Sequence, residues 1–208
     1  MEAVRRGMMV GACAGAVALL VLAFGAAAAD ARVDAATSVR STASHTATLY
    51  AANDRWRAYL ADERACPGGE RTDASLARQQ RTLACLVNWA RRKIGLKSLD
   101  VTPTLSRSSA LKAREIARCE QFAHDPCGGS WLAGIRAAGY VGNVAENLYL
   151  ATGAGGAPRV AVDRWLNSPS HRANLFDPRW RRQGLAAAQL GTFGGQSGAV
   201  VWVSQFGS

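Results

Sequence analysis

The feature that most constrains this fold is a set of cysteines that follows an apolar N-terminal run. Of the five cysteines in the chain, four lie further along it: Cys66, Cys85, Cys119 and Cys127. An even number of cysteines in an exported chain indicates disulfides, and more than one pairing is open. Closeness along the chain favours Cys66–Cys85 and Cys119–Cys127. A zinc site is the weaker alternative, because the chain contains no C-x-x-C pair.

The N-terminal run indicates export. Two arginines precede a mainly apolar stretch from Gly7, and consecutive alanines offer an A-x-A cleavage site before Asp30. We therefore assign residues 1–29 to a signal peptide and predict a secreted or extracytoplasmic protein with no stable membrane span. The alternative is a retained anchor, because the run is nearly long enough to cross a bilayer.

The formal net charge of +10 makes the chain strongly basic. A positive surface attracts anionic partners, which for an exported protein are wall polymers or lipid headgroups. The densest basic patches, residues 91–93 and 179–182, contain a single aromatic residue, Trp180, and not the repeated interleaving of a nucleic-acid groove. The composition therefore argues against nucleic acid and leaves an anionic envelope polymer or a lipid as the partner.

The rest of the chain divides into a flank and one folded domain. Residues 30–72 are predicted to form a tether and one short helix, near residues 49–63, and residues 73–208 the domain. Apolar periodicity predicts helices that end at Gly95, run from Thr102–Pro103 to near Phe122, and cover 129–138 and 158–167. Another helix begins at Ser168–Pro169, where the serine can cap and the proline needs no N–H partner.

The apolar and small-residue patterns of the first two helices predict which face of each helix is buried. The first helix keeps Cys85 outside its apolar stripe, so a bond to Cys66 would tie the flank to its outer side. The second helix presents a face of small residues suited to close packing, formed by Ser106, Ala110, Ala113 and Ala117.

Strand patterns are fewer than helix patterns. They cover residues 143–150, 185–190 and 199–206, and the last two flank a glycine-rich segment that predicts a hairpin with a long loop. Because helices surround so few strands, the predicted class is α+β, with a small antiparallel sheet covered by helices.

One acidic residue stands out in the first strand. Glu146 is in phase with Val144 and Leu148, and alternation in a strand places such side chains on one face. A carboxylate among apolar neighbours is costly unless a partner pairs with it. The alternative is that Glu146 sits at a frayed strand end and reaches water.

Two of the three histidines are candidate partners. A Cys119–Cys127 bridge would close a tight loop around His124. His171 follows a helix start, where the positive end of the backbone dipole favours the neutral ring. A surface histidine and a histidine that merely packs in a turn are the simpler interpretations.

His124, Glu146 and His171 together have the chemistry of a metal site. Two imidazoles and a carboxylate with an open position suit Zn²⁺ or another divalent metal, which could activate water. Without metal, the carboxylate could orient one histidine as a base. Spacing alone does not choose between these roles.

Five motifs in order resemble a known family. They are CLVNWARRKIGLKSL, FAHDPCG, AGY followed by AENLYL, RWLNSPSHRANLF and VWVSQFG. Together they resemble the bacterial branch of the CAP superfamily, which comprises cysteine-rich secretory proteins, antigen 5 and plant pathogenesis-related proteins, and whose domain is also called SCP-like. The resemblance covers roughly residues 80–207 and implies an α-β-α sandwich with a cleft.

The resemblance also implies site residues. In that family two histidines and two acidic residues commonly line the cleft, and some members bind zinc or another divalent cation there. His124 matches the histidine of the Phe-x-His motif, and His171 matches that of the Ser-Pro-x-His-Arg motif. Glu146 matches the glutamate of the Gly-Glu-Asn motif, in which Ala145 here replaces the glycine and Asn147 is retained.

This chain departs from the eukaryotic pattern at two positions. Ser168 stands where many eukaryotic members carry a second glutamate. Trp202, near Ser204 and Gln205, stands where they carry a histidine in the last strand. A full eukaryotic-type tetrad is therefore absent, and His171 substitutes for it only in part.

We therefore expect an exported SCP-like binding protein with a His- and Glu-lined cleft that could hold a divalent metal, and not a conventional enzyme. One alternative is a metal-dependent hydrolase of peptide or cell-wall substrates that uses His124, Glu146 and His171. The other is an apolar-ligand or lipid binder, a role the resemblance implies and no local pattern supports.

Overall fold

A computed structural model describes residues 54–208. The predicted signal peptide, and the tether up to residue 53, lie outside the described residues. The short helix predicted near residues 49–63 is, in the described part, a single 3₁₀ turn, Arg57–Tyr59.

The described residues form five α-helices: α1 Leu76–Lys93, α2 Pro103–Cys119, α3 Ala133–Ala137, α4 Pro158–Asn167 and α5 Pro169–Phe176. The predictions for α1 and α4 are confirmed, and α3 is shorter than predicted. Helix α2 ends before Phe122, because Glu120 adopts a left-handed backbone with φ of 50°. That conformation commonly terminates a helix.

Capping explains where two helices begin. The Ser75 hydroxyl accepts a hydrogen bond from the backbone N–H of Arg78, and that of Thr102 accepts one from Leu105. The predicted cap by Ser168 is wrong, because its hydroxyl lies 3.4 Å from the Ser170 hydroxyl and bonds no helical N–H.

Four strands form one sheet in the order β1-β3-β4-β2. They are β1 Asp100–Val101, β2 Val144–Thr152, β3 Arg182–Phe193 and β4 Gln196–Gly207. Strands β3 and β4 form the predicted hairpin, but Gly194 and Gly195 turn the chain directly, so the predicted long loop is wrong. Both have positive φ, which glycine adopts without strain.

The sheet is mixed and not wholly antiparallel as predicted. Strand β2 pairs with β4 in antiparallel fashion, whereas β1 runs parallel to β3. The reason is topological: the chain leaves β1 through α2 and returns to β3 only after α5. A long crossover of this kind is what parallel strands require.

Helices cover both faces of the sheet, so the predicted α-β-α architecture is confirmed. On one face α2 contributes Ala113 and Ile116, which pack against Leu148, Ala186, Val201 and Val203. On the other face α1, α4 and α5 pack against Leu185, Trp202 and Phe206.

Helix α2 lies very close to the sheet. A Cβ at Gly184 of β3 would overlap the backbone of Leu105. The predicted small-residue face of α2 is only partly right, because Ala113 is buried while Ala117 is exposed. The buried residues of α2 are instead Leu105, Ser108, Ser109, Lys112, Ala113 and Ile116.

The segment before α1 belongs to the domain core. Leu60, Ala61 and Cys66 are buried in the main hydrophobic cluster, and Cys66 is bonded to Cys85 as predicted. The bond therefore lies at the edge of the core and not on the outer side of the helix. Across residues 54–208, no helix is long and apolar enough to cross a membrane.

Candidate functional site

Glu146 is the buried acid of the site. It lies in β2 opposite Gln205 of β4, and strand alternation directs it to the sheet face that α2 covers, as it does Leu148. Its side chain is 1% exposed. One carboxylate oxygen accepts a hydrogen bond from His124 Nδ1 and the other from Gln205 Nε2, each at 2.8 Å. The frayed-end interpretation is therefore wrong.

His124 lies on the loop that the Cys119–Cys127 disulfide closes, as predicted. Lys112 Nζ donates a hydrogen bond to the backbone carbonyl of His124. The imidazole is 52% exposed, and Nδ1 faces Glu146, so Nε2 is the ring nitrogen left for a ligand. The hydrogen bond that His124 donates to Glu146 raises the pKa of His124, and partial burial opposes this rise.

His171 lies in α5, in the helical layer on the other side of the sheet. Its backbone carbonyl accepts a hydrogen bond of 3.0 Å from Asn147 Nδ2. Within the described residues, no hydrogen bond joins its ring to Glu146. Burial, and then the charge of His124, lower the pKa of His171. The direction agrees with the expected neutral ring, although the causes differ from the predicted helix dipole.

Helices α4 and α5 are bonded to the sheet at one of its edges. Strand β2 is one of the two edge strands, and the Asn174 amide donates to Glu146 O at 3.3 Å and to Asn147 Oδ1 at 2.9 Å. Trp165 Nε1 donates to Leu148 O at 3.0 Å. These bonds hold α4 and α5 along the open edge of β2, with the His124 loop on the opposite face.

The metal prediction is not tested by this arrangement. Among residues 54–208, no group of three or more His, Cys, Asp or Glu side chains is placed to hold a metal ion. Both oxygens of Glu146 already have partners, so direct ligation by Glu146 would break one of those hydrogen bonds. A metal site of His124, Glu146 and His171 stays a prediction.

The cysteine predictions have a clear outcome. Both predicted disulfides are present, with Cα–Cα distances of 5.7 Å for Cys66–Cys85 and 5.5 Å for Cys119–Cys127. The alternative of a cysteine-ligated zinc site is wrong, because all four sulfurs are in disulfides.

Three site residues were given no role by the sequence analysis. Gln205 is in phase with Val201 and Val203, so the alternation rule that singled out Glu146 also points to Gln205. Lys112 lies among small residues of α2, where a buried cation is unexpected. Asn174 carries no sequence signal, because its bonds depend on how α5 meets β2.

A profile of CAP, the cysteine-rich secretory protein family, matches residues 85–206. The uncharacterized protein YkwD of Bacillus subtilis strain 168 is 29% identical over 135 residues, which are 64% of this chain and 48% of that protein. The chain therefore spans about half the length of this curated relative.

Solved structures have the same fold. An outer surface protein of Borrelia burgdorferi superposes with a TM-score of 0.55 and 20% identity, over 65% of this chain and 96% of that one. An extracellular protein containing an SCP domain, from Bacillus anthracis strain Ames, gives a TM-score of 0.50 and 16% identity, over 62% and 40%. Because the family profile spans more than half of the sequence, the chain belongs to the CAP family of cysteine-rich secretory proteins.

Proposed function

We propose that this chain is an extracytoplasmic binding protein whose CAP domain holds an anionic ligand through the His124–Glu146 pair. The proposal is carried by one observation: a fully buried carboxylate pairs at 2.8 Å with an imidazole that is half exposed. Because an unpaired buried carboxylate is costly, Glu146 holds the ring in one orientation. A ring fixed before binding loses little entropy when a ligand arrives.

Several features support a location outside the cytoplasm. Two disulfides are present, and disulfides persist in oxidising compartments. The N-terminal sequence has the pattern of a signal peptide. Two structural relatives are described as an outer surface protein and an extracellular protein.

The charge of the exposed ring favours an anion. Since His124 Nδ1–H is used by Glu146, the protonated ring presents one remaining donor, Nε2–H, to solvent. The raised pKa of His124 favours that protonated form. A charged donor of this kind bonds strongly to phosphate or carboxylate oxygens, and the net charge of +10 attracts such polymers from a distance.

A divalent metal remains a second candidate in a narrower form. His124 Nε2 and the His171 ring would supply nitrogen donors, and Glu146 would orient His124 without binding the metal. A bound metal would supply a Lewis acid able to activate water. Metal needs the neutral His124 ring and an anion needs the protonated one, so the two kinds of ligand have opposite pH dependence.

The test measures binding of the full chain to poly(glycerol phosphate), as an anionic wall polymer, at about pH 5.5 and about pH 8. We expect His124→Ala to weaken binding at the lower pH by about tenfold or more, the worth of a charged hydrogen bond. His45→Ala is the matched control, because it removes the third histidine, which lies outside the described residues. Equal affinity of the His124 variant and the unsubstituted chain would overturn the proposal.

Three other results would replace the proposed function with one of its rivals. Calorimetric zinc uptake that is lost only when His124 and His171 are both replaced by alanine would favour the metal site. Hydrolysis of a peptide or cell-wall panel that disappears in Glu146→Gln would make the chain a hydrolase. Binding to neutral lipid vesicles that survives in His124→Ala would identify an apolar-ligand protein.

A further inference from the structure

The two disulfides lie in very different surroundings. Cys66 is 1% exposed and packs in the main hydrophobic cluster with Leu60 and Ala61. Cys127 is exposed, and the loop that it closes back onto Cys119 is exposed at most positions. Reduction requires a thiolate to reach a sulfur, so access favours reaction at Cys119–Cys127.

The backbone of the loop is disfavoured at both ends. Among residues 54–208, Glu120 and Cys127 are the only non-glycine residues with positive φ, at 50° and 64°. Left-handed backbone is unfavourable for residues with a Cβ, so tertiary contacts or a crosslink must hold the loop in this shape. Among residues 120–127 only Pro126 is buried, which leaves the crosslink as a main constraint on the loop.

A cation lies next to the exposed sulfur. Arg118 Nη2 is 3.3 Å from Cys127 Sγ. Negative charge spreads over three sulfurs when a thiolate attacks a disulfide, and a guanidinium beside the attacked sulfur stabilises that charge.

We propose that Cys119–Cys127 is a thiol-exchange site: a dithiol reductant opens it while Cys66–Cys85 stays closed, and opening frees the loop that presents His124 to its ligand. The effect on ligand binding rests on the proposed function. The selective exchange does not, because it follows from the exposure of Cys127 and its contact with Arg118.

The dithiol supplies all the electrons and protons that the exchange requires. Its thiolate attacks Cys127 Sγ, forms a mixed disulfide there and expels Cys119 as a thiolate, which takes up a proton. The second thiol of the reductant then attacks the mixed disulfide, closes the oxidised cyclic reductant and releases Cys127 as a thiol after protonation. Two electrons and two protons pass from the dithiol to the protein.

The consequence for the site follows from loop entropy. Closing a loop of this length raises the closed-to-open ratio by roughly tenfold to a hundredfold. After reduction, the contacts that still hold His124 are the hydrogen bond to Glu146 and the one from Lys112 to its backbone carbonyl. The imidazole then samples positions away from Glu146.

The first test follows reduction of the full oxidised chain by dithiothreitol without denaturant, with alkylation and peptide mass spectrometry. We expect Cys119 and Cys127 to be labelled at least about tenfold faster than Cys66 and Cys85. Equal rates, or earlier labelling of Cys66, would overturn the proposal.

Substitution of the neighbouring cation tests the proposed chemistry. Arg118→Met should slow reduction of Cys119–Cys127 by about three- to tenfold, since it removes the charge beside the attacked sulfur. Arg114→Met is the matched control, because it removes an exposed arginine of the same helix that bonds neither cysteine. An equal rate in both variants would remove Arg118 from the mechanism.

Hydrogen exchange then tests the effect on the loop. Selective reduction should speed amide exchange in residues 120–127 and leave α1 unchanged, and reoxidation should restore protection. The double variant Cys119→Ser/Cys127→Ser should behave as the reduced chain does. Unchanged exchange in 120–127 would overturn the switch. A loop that opens without weakening poly(glycerol phosphate) binding would instead overturn the proposed function.

Discussion

The two halves of the candidate site are held in place by different forces. The His124 loop contributes little to the core and is positioned by a disulfide, a hydrogen bond to Glu146 and one hydrogen bond from Lys112. Helix α5, which carries His171, is positioned by packing. Its Leu175 is fully buried, and the buried guanidinium of Arg91 donates to the backbone carbonyls of Leu175 and Asp177.

The difference appears in the chemistry of the two rings. A buried carboxylate raises the pKa of His124, whereas burial lowers the pKa of His171. One half is therefore a half-exposed ring whose protonated form is favoured, on a disulfide-closed loop, and the other is a ring whose neutral form is favoured, on a packed helix. Substitutions that damage one half and spare the other test this division.

The largest expected effect is on the α5 half. Arg91→Met removes three hydrogen bonds from buried Arg91, to Leu175 O, Asp177 O and Lys97 O. Because these carbonyls lose a buried donor, we expect the free energy of unfolding, measured in urea, to fall by about 3 kcal/mol. The control Arg92→Met, at an exposed neighbour, should cost less than about 0.5 kcal/mol. A similar small cost in both variants would contradict this account of how α5 is held.

A slightly smaller effect is expected on the layer that carries the His124 loop. Gly184→Ala places a Cβ against the backbone of Leu105, so α2 must shift away from the sheet. We expect a loss of about 2 kcal/mol in unfolding free energy. Gly129→Ala is the matched control, because its φ of −82° and open surroundings accept a methyl group. If Gly184→Ala were as stable as this control, the claim that α2 and β3 are in close contact at Gly184 would be wrong.

A third substitution tests the junction between the halves. Asn174→Ala removes the bonds from α5 to Glu146 O and Asn147 Oδ1, and we expect a loss of about 1 kcal/mol. Ser170→Ala, on the exposed side of the same helix, should change stability little. In NMR spectra the ring signals of His171 should move more than those of His124. The reverse order would show that Asn174 supports the His124 loop more than it supports α5.

The smallest effect is the pH dependence of stability. The raised pKa of His124 gives stability that is fully present below its ordinary value of 6.5 and is lost as pH rises through the raised value. The lowered pKa of His171 gives stability that is present above 6.5 and is lost as pH falls through the lowered value.

Replacing each histidine separately by asparagine should therefore change the slope of unfolding free energy against pH in opposite directions. His124→Asn should remove the loss on the alkaline side, and His171→Asn the loss on the acid side. Urea unfolding at several pH values measures both, and slopes that change in the same direction would show that the rings share one environment.

Local sequence rules worked where the deciding contacts are close along the chain. The bounds of α1 and α4 followed from apolar periodicity, and both disulfides followed from proximity of their cysteines. The rules failed where distant contacts decide. Strand β1 joins β3 in parallel because of a crossover that includes most of the domain.

The candidate site divides in the same way. Glu146 was singled out because strand alternation is a two-residue property, and the same property marks Gln205 in β4. Lys112 and Asn174 could not be assigned, because a helix pattern does not reveal which neighbour its buried face meets.

The amino-acid sequence alone therefore determined the class of fold, the disulfide pairs and the three candidate side chains, since these depend on spacing, periodicity and family motifs. Tertiary structure decided that Glu146 pairs with His124 and Gln205, while His171 lies in the opposite layer at the open edge of β2. The physical reason is that strand order and helix packing bring together residues far apart in the chain, and only their burial sets which hydrogen bonds must form.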